Sequence, residues 1–209
     1  MTTSTGRILL AVGVDGVARV VAVMSTRERL VQVATSLLEE GGPSAVTLRE
    51  VGHQAGVSHN APYKHFADKE DLLAAVAAAQ LRENRDSMQR LRDGREPGAA
   101  IRLILHAYVS RAMAHPQMFR LIYGPWRTDS AELGQAAHEA RSLLVEVVQA
   151  AQDSGDLPAG DPDRMTALLQ ALAHGAADLA LSGHLARDGK GHAEPADLVD
   201  DLLARLAGA

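Results

Sequence analysis

From residue 24 onward, apolar side chains recur every three or four positions, which is the spacing of amphipathic helices. The first predicted helix opens at Ser25, where Glu28 three residues later completes a capping box. Its apolar stripe comprises Leu30, Val33, Ala34, Leu37 and Leu38. The run Gly41-Gly42-Pro43 predicts the end of this helix, because glycine and proline follow helix C-termini in this order.

Two short predicted helices follow, separated by the turn Ala55-Gly56-Val57, and this is the spacing of a helix-turn-helix. Thr47 and Glu50 predict a second capping box at the start of the first of them. Gly56 supplies the positive φ that a tight turn requires, and Ser58 is expected to cap the second helix. The apolar face of the first helix is Leu48, Val51 and Ala55. In this motif the first-turn residues of the second helix reach DNA base edges, and here they are His59, Asn60 and Ala61.

Helical spacing continues to the end of the chain. Asp68 is expected to cap a long fourth helix, and a turn at 93–98 precedes five more helices. Those five are predicted at about 98–114, 117–123, 133–151, 162–179 and 195–206. The pattern predicts an all-α fold. An N-terminal three-helix helix-turn-helix domain would occupy residues 24–72, and a C-terminal helical domain would occupy residues 73–209.

Residues in and after the helix-turn-helix resemble a known family signature. They are Gly56-Val57-Ser58, Tyr63, His65-Phe66 and Lys69-Glu70-Asp71-Leu72-Leu73, and residues 26–76 are similar to tetracycline-repressor-type (TetR-like) regulators. The resemblance implies an N-terminal domain that binds a palindromic double-stranded DNA operator as a homodimer. It also implies a C-terminal domain for dimerisation and for binding a small-molecule effector. We therefore expect a ligand-responsive cytoplasmic repressor, with no catalytic activity and no cofactor.

The resemblance also implies which residues contact DNA. Phosphate contacts are implied for Thr47, Tyr63 and Lys69, with His65 nearby. Base contacts are implied for His59, Asn60, Ala61 and Lys64. Ser58, which precedes them, is also among the predicted DNA-binding residues. Pro62 departs from the family pattern, which usually has Leu there. Because proline lacks the N–H that would close a bond on the Ser58 carbonyl, a later start or a shift of this helix is expected.

A looser resemblance concerns the C-terminal domain. The stretch 115–124 and the run Ala173-His174-Gly175 are similar to a subgroup named for a Trp-His-Gly motif, although Gln170 stands near the place of the Trp. Aromatic residues gather here, and ligand pockets are typically apolar with a few polar anchors. The candidate ligand-binding residues are His106, Tyr108, Met113, Phe119, Tyr123, Trp126 and His174. Ordinary core packing is the alternative for each of them taken singly.

The last two predicted helices indicate how the chain associates. They carry apolar and small side chains on more than one face, so they are expected to pack against a second copy, a core pair in a monomer being the alternative. Dimerisation would also space two recognition helices one DNA turn apart.

Composition narrows the chemistry further. The chain has 209 residues, 46% hydrophobic and 22% charged, which is ordinary for a globular protein. It has no cysteine, which excludes disulfides, thiolate metal sites and a cysteine nucleophile, and which suits a reducing cytoplasm. Residues 24–80 carry five Lys or Arg against seven Asp or Glu, a net charge of −2 with histidine neutral. We therefore predict modest non-specific DNA affinity and a shallow salt dependence.

Residues 1–23 precede anything that the family pattern contains. Their apolar run at 8–14 is too short to span a bilayer, and Asp15-Gly16 interrupts it. We expect translation to start at Met24 and the upstream stretch to be disordered or a mis-called extension. The alternative is a local hairpin around Asp15-Gly16, although two strands alone are marginally stable.

Other functions stay open at this point. The helix-turn-helix could be structural, or the protein could be an architectural DNA-binding protein without an inducer. A helical enzyme has less support, because no Gly-rich phosphate loop, nucleophile elbow or carboxylate pair is visible. His174 and Asp178 have the spacing of two metal ligands on one helix face, but a third is not evident, so no metal site is expected.

Overall fold

The computed structural model describes residues 8–12, 18–22 and 24–207, and it confirms the all-α prediction. The α-helices of this described part are α1 (Thr26–Ala45), α2 (Leu48–Gln54), α3 (Lys69–Arg92), α4 (Pro97–Ala114), α5 (Pro116–Tyr123), α6 (Ala131–Asp153), α7 (Pro162–Leu181) and α8 (Pro195–Ala207). A one-turn 3-10 helix, Pro62–Lys64, lies between α2 and α3. Within the same residues, no helix is both long and apolar enough to cross a membrane.

Two short strands precede the helices. β1 (Ile8–Val12) pairs antiparallel with β2 (Ala18–Ala22), with Ile8 opposite Ala22 and Val12 opposite Ala18. This pairing corresponds to the hairpin alternative for the segment. The turn predicted at Asp15-Gly16 and the other parts of the extension, at 1–7, 13–17 and 23, lie outside the described residues. The start of translation at Met24 stays a prediction.

The chain divides into two compact units, Met1–Leu72 and Leu73–Ala209. The core of the first unit consists of fully buried side chains from α1, α2 and the chain after the 3-10 turn, namely Leu30, Ala34, Leu38, Val51 and Phe66. The guanidinium of Arg27 lies 5.2 Å from the centre of the Phe66 ring. At the end of α1, Gly42 takes a φ of +68°, and one further turn follows it.

Helix starts in the first unit follow side-chain caps. The Ser25 hydroxyl accepts from Glu28 N (3.2 Å) and the Glu28 carboxylate accepts from Ser25 N (2.7 Å), so this capping box is confirmed. At α2, Thr47 Oγ1 accepts from Glu50 N at 3.1 Å. The Glu50 carboxylate, however, accepts from Gln54 Nε2 at 2.9 Å, so only half of the second predicted box forms.

The second helix of the motif is shorter than predicted. In place of an α-helix capped by Ser58, Ala61 N donates to the Ser58 carbonyl at 2.9 Å, and the 3-10 turn begins at Pro62. The prediction of Ser58 as the helix cap is therefore wrong. Proline has no N–H to donate to the Ser58 carbonyl, so no α-helical bond forms there. The turn continues with Lys64 N donating to the Ala61 carbonyl at 3.2 Å and with His65 N and Phe66 N donating to the Pro62 carbonyl at 3.0 Å.

The core of the second unit lies between α4, α6, α7 and α8. Its most buried large side chains are Ile101 from α4, Val148 from α6, Leu169 from α7 and Val199 from α8, each at most 1% exposed. The small residues Ala173 and Ala177 are also fully buried on α7, which allows the neighbouring helices to approach it closely. This packing holds α4 and α7 in place, and both contribute to the cavity described below.

Three ion pairs connect α3 to α6, and we refer to them as the α3–α6 ladder. They are Arg82–Glu132 (2.9 Å), Arg85–Glu139 (3.0 Å) and Arg92–Glu146 (2.9 Å). The three glutamates recur every seven residues, so they share one face of α6. All six side chains are at least one-third exposed, and such pairs typically contribute about 0–1 kcal/mol each and weaken with salt.

Candidate nucleic-acid interface and ligand cavity

Close packing between α2 and the 3-10 turn depends on Gly52. A Cβ at Gly52 would lie 2.7 Å from Pro62 Cγ and 3.4 Å from Pro62 Cδ, so the buried proline ring occupies the space that a side chain would need. Val57 N donates to the Gly52 carbonyl at 3.1 Å as the chain leaves α2. In the turn, Gly56 has a φ of +65°, as predicted. These contacts fix the backbone that carries Tyr63.

The predicted DNA-binding residues lie at the surface of the first unit, around this turn. Thr47, Ser58, His59, Asn60, Tyr63, Lys64 and His65 are exposed, and Ala61 and Lys69 are half-buried. The Tyr63 side chain is 52% exposed, and its ring lies 6.0 Å from that of His59. An aromatic ring with a polar hydroxyl held at the surface among cationic and amide groups is typical of a binding surface.

Three acids of the first unit accept hydrogen bonds at helix starts and keep their negative charge. Two of its acids, Asp68 and Asp71, engage the start of α3, where Asp71 N donates to Asp68 (2.9 Å) and Ala67 N donates to Asp71 (3.0 Å). Hydrogen bonds from the backbone N–H and hydroxyl of Ser25 likewise hold the pKa of Glu28 below its usual range. In contrast, Lys64 forms no ion pair within the described part of the chain. Its ammonium group therefore stays available for a phosphate.

The second unit contains a cavity of about 450 Å³, which is in the size range of small-molecule sites. Residues of α3 to α7 and of the chain after α5 form its wall. Its apolar lining includes Leu81, Met88 and Leu91 from α3, Ile104 and Leu105 from α4, Met118 and Ile122 from α5, and Leu133 and Leu144 from α6. Four of the predicted ligand residues, Tyr108, Phe119, Tyr123 and Trp126, also line it.

Three aromatic rings meet His174 beside this cavity. The Phe119 and Tyr123 rings lie 4.7 Å and 5.0 Å from the His174 ring, and the Tyr108 hydroxyl is hydrogen-bonded to His174 Nδ1 at 3.0 Å. His174 therefore fixes the aromatic wall from behind and does not line the cavity itself. Burial raises the pKa of Tyr108 far above its usual value, so its hydroxyl is neutral at physiological pH.

The cavity also has a cationic region, centred on Arg111 of α4. Arg111 Nη1 donates to the side-chain oxygen of Asn84, and Nη2 donates to Ser87 Oγ at 3.3 Å; both partners belong to α3. The sequence analysis missed all three residues. One signal was available, because Arg111 lies one helical turn after Tyr108, between Tyr108 and the buried Ala112, and is therefore a lone cation on an inward face.

Two predicted ligand residues lie elsewhere. His106 Nε2 is hydrogen-bonded to Asp200 of α8 at 2.7 Å and does not line the cavity. Met113 is 41% exposed and also absent from the cavity wall. These two side chains leave α4 in directions different from that of Tyr108, so the cavity does not support them as ligand contacts. Among the described residues, no group of three or more His, Asp or Glu side chains could hold a metal ion, and His174 and Asp178 have no third ligand beside them.

Two protein-family models match the chain, one in its N-terminal part and one in its C-terminal part. Residues 30–76 match the model of the bacterial regulatory proteins of the tetR family. Residues 101–206, half of the chain, match the tetracyclin repressor-like C-terminal domain. The chain belongs to the TetR family. The helix-turn-helix of the first unit is therefore the DNA-binding module of a family of regulators, and the cavity wall, apart from its α3 residues, lies in the domain that the second model describes.

Individual relatives match different shares of the chain. The HTH-type transcriptional repressor Rv3405c of Mycobacterium tuberculosis is 36% identical over 47 residues, which span 22% of this chain and only 25% of the repressor. A protein of unknown function from Rhodococcus sp. RHA1 is 31% identical, with a TM-score of 0.75 over 88% of this chain and 94% of that one. FadR from Bacillus subtilis, solved in complex with stearoyl-CoA, is 16% identical, with a TM-score of 0.64 over 86% of this chain and 96% of its own. At that identity it shares the fold alone.

Proposed function

We propose that this protein is a cytoplasmic repressor that binds a palindromic operator as a homodimer and leaves it when a small-molecule inducer occupies the cavity. The proposal rests on one observation, which is that the same chain carries an exposed helix-turn-helix surface and, in its second unit, a cavity of about 450 Å³. An architectural DNA-binding protein would need the first feature without the second. Family membership favours a regulator over a helical enzyme.

In the proposed complex, the exposed residues after the turn have separate roles. Asn60 is proposed to read a base, because an amide side chain can form a bidentate pair with adenine in the major groove. Its neighbours His59, Ala61 and Lys64 complete the base-contacting set. Tyr63 is proposed to bind phosphate, together with Thr47, Lys69 and His65, and such contacts position the protein without reading sequence.

Exposed leucines on α7 support the homodimer. Leu168 is 49% exposed and Leu179 is 47% exposed, and they are about three helical turns apart on one face. The positions between them on that face include the small residues Ala171 and Gly175. A face with exposed leucines and small residues lets a partner helix approach closely and removes apolar surface from water.

Release by the inducer is proposed to work as a population shift. The ligand would stabilise a dimer whose recognition segments do not match the operator spacing, and typical coupling free energies of about 1–3 kcal/mol lower affinity by roughly 5- to 150-fold. Helix α3 is the proposed lever, because it begins with Lys69 and, further along, carries the cavity residues Asn84 and Ser87.

We also propose that the C-terminal domain belongs to the Trp-His-Gly subgroup. The two stretches on which that resemblance rests are in contact, since Phe119 and Tyr123 of α5 pack on His174. Gln170 occupies the place expected for the Trp and lines the cavity. A smaller polar side chain there would enlarge the cavity relative to members that carry the Trp.

The test begins with capture of genomic fragments by the purified protein, followed by anisotropy titrations on the recovered operator. Asn60→Ala should cost about 1–3 kcal/mol at one base position and relax the preference there. Tyr63→Phe should weaken binding to all operator variants similarly. Arg102→Gln, at an exposed residue of the second unit outside the cavity, is the control and should leave operator affinity unchanged.

Three results would count against the proposal. Uniform loss across operator variants for Asn60→Ala would contradict its reading role. Failure to retain any specific fragment would exclude the regulator. Specific binding that no member of a small-molecule panel reverses would favour the architectural protein.

A further inference from the structure

Arg111 is a cation in the cavity wall whose hydrogen-bond partners are neutral. Its guanidinium donates to the Asn84 amide oxygen and to the Ser87 hydroxyl, and in the described part of the chain it forms no ion pair with a carboxylate. An arginine has five N–H donors, so about three remain for a ligand. Asn84 and Ser87 therefore orient the guanidinium without cancelling its charge.

The remainder of the cavity wall supplies no negative charge. Its lining residues include no Asp or Glu. Its other arginine, Arg141, is already paired with Asp163 at 2.9 Å. The Tyr108 hydroxyl stays neutral because burial raises its pKa. The cavity is therefore cationic inside a chain whose net charge is −5, so its charge is a local feature and does not follow from overall composition.

Arg111 is half-buried, and this arrangement favours the binding of an anion. A charge that is withdrawn from water without a counter-charge raises the free energy of the protein, and an anionic group placed against it recovers part of that cost. Arginine is also the side chain whose fork of donors matches a carboxylate, which it binds through two parallel hydrogen bonds. The apolar and aromatic side chains of the remaining cavity wall would contact the body of the same ligand.

We propose that the cavity binds an amphipathic organic monoanion, with its carboxylate on Arg111, Asn84 and Ser87 and its apolar body against Tyr108 and Phe119. At the roughly 30 Å³ that one water molecule occupies in the liquid, a volume of about 450 Å³ holds on the order of fifteen non-hydrogen atoms. Medium-chain fatty acids and bicyclic aromatic acids have this size. The proposal rests on the proposed function in treating the cavity as the inducer site, but binding itself can be measured without DNA.

The direct test uses isothermal titration calorimetry on the full-length protein at neutral pH with matched probes. Decanoate and 1-naphthoate are the anions, decanol and 1-naphthol are the neutral controls, and decylamine is the cationic control. One charge-assisted hydrogen-bonded contact corresponds to roughly 10- to 100-fold in affinity. We therefore expect at least one of the two anions to bind more tightly than its neutral control by that factor, and decylamine to bind most weakly.

Variants then assign the preference to Arg111. Arg111→Gln should abolish the difference between the anion and its neutral control, and Arg111→Lys, which keeps the charge and loses the fork, should retain part of it. Asn84→Asp adds no heavy atom and places a carboxylate on the guanidinium, so it should weaken anion binding and leave the neutral probe unaffected. Arg102→Gln is the matched control, because Arg102 lies on the same helix and pairs with Asp200 outside the cavity. It should leave all probe affinities unchanged.

The outcomes separate this inference from the proposed function. Equal affinity for anion and neutral control, unchanged anion binding in both Arg111→Gln and Asn84→Asp, or no binding of either anion at about 1 mM would each overturn the inference. If only neutral molecules release the operator complex, the proposed repressor function stands and the inference of an anionic ligand fails. If an anion binds in an Arg111-dependent way but the protein retains no DNA, the inference of an anionic ligand stands and the proposed repressor function fails.

Discussion

Gly52→Ala tests whether the contact between α2 and the 3-10 turn requires a glycine. The new Cβ would lie 2.7 Å from Pro62 Cγ, a ring atom that cannot rotate away. Either α2 or the 3-10 turn must therefore move by several tenths of an ångström. The movement would displace Tyr63 and Lys64, which follow Pro62 directly, so operator binding should weaken together with stability.

Two opposing effects determine how much Gly52→Ala changes the free energy of unfolding. Alanine in a helix interior is favoured over glycine by about 0.5–1 kcal/mol. Overpacking a tight contact typically costs about 1–3 kcal/mol. The expected net loss in the free energy of unfolding is about 1 kcal/mol, which corresponds to a decrease in Tm of about 2–4 °C for a chain of this size.

A double-mutant cycle with Pro62→Ala isolates the contact. Without the proline ring the added methyl has space, so Gly52→Ala should stabilise the Pro62→Ala background by about 0.5–1 kcal/mol. The sign of the substitution thus reverses between the two backgrounds, which thermal and urea denaturation can both detect. A Gly52→Ala variant that is stabilised to the same extent in both backgrounds would show that the close approach does not exist.

Three other predictions concern stability. Gly56→Ala puts a side chain at a φ of +65° and should lower the free energy of unfolding by about 1–2 kcal/mol. Gly134→Ala, with nothing within 4 Å of the new Cβ, should raise it by about 0.5–1 kcal/mol. Shifts in Tm of the same sign for the two variants would contradict this. Thr166→Val removes a fully buried hydroxyl that has no partner among the described residues and should raise the urea midpoint by the equivalent of about 1 kcal/mol, and a lower midpoint would refute it. The Arg102 guanidinium lowers the pKa of Asp200 from 3.8 to about 2. Because the folded pKa is the lower one, this carboxylate stabilises the fold above about pH 4 and loses that contribution as the pH falls toward about 2. The difference in the free energy of unfolding between wild type and Asp200→Asn should therefore be smaller near pH 2 than at neutral pH. A difference that is independent of pH would contradict the ion pair.

Caps and turns were predictable because a few adjacent residues determine them. The capping box of Ser25 and Glu28 and the positive φ of Gly56 occur as predicted. At the start of α3, the Asp68 side chain accepts from Asp71 N at 2.9 Å, as expected for a cap. The same local reasoning anticipated a later helix start at Pro62, because a missing N–H is visible in the sequence. Such features need no knowledge of distant contacts.

The cationic end of the cavity was not predictable in this way. Asn84 and Ser87 meet Arg111 only because α3 packs beside α4, and polar residues on a helix otherwise indicate a solvated face. The direction in which each side chain leaves α4 also explains why His106 and Met113 do not line the cavity. At 100° per residue, His106 lies about 200° from Tyr108 and Met113 about 140°, so neither side chain can share the Tyr108 face.

The α3–α6 ladder makes the cavity wall itself sensitive to ionic strength. Helix α3 supplies Asn84 and Ser87 to that wall and α6 supplies Leu133 and Leu144, while exposed ion pairs join the two helices. Added salt shortens the range of such attractions from about 10 Å at 0.1 M to about 3 Å at 1 M. The same ions compete with the protein for phosphates on DNA. An osmotic upshift raises the ion concentration around the protein. It is thus expected to lower the affinity for DNA and to weaken the attraction between α3 and α6 at the cavity at the same time.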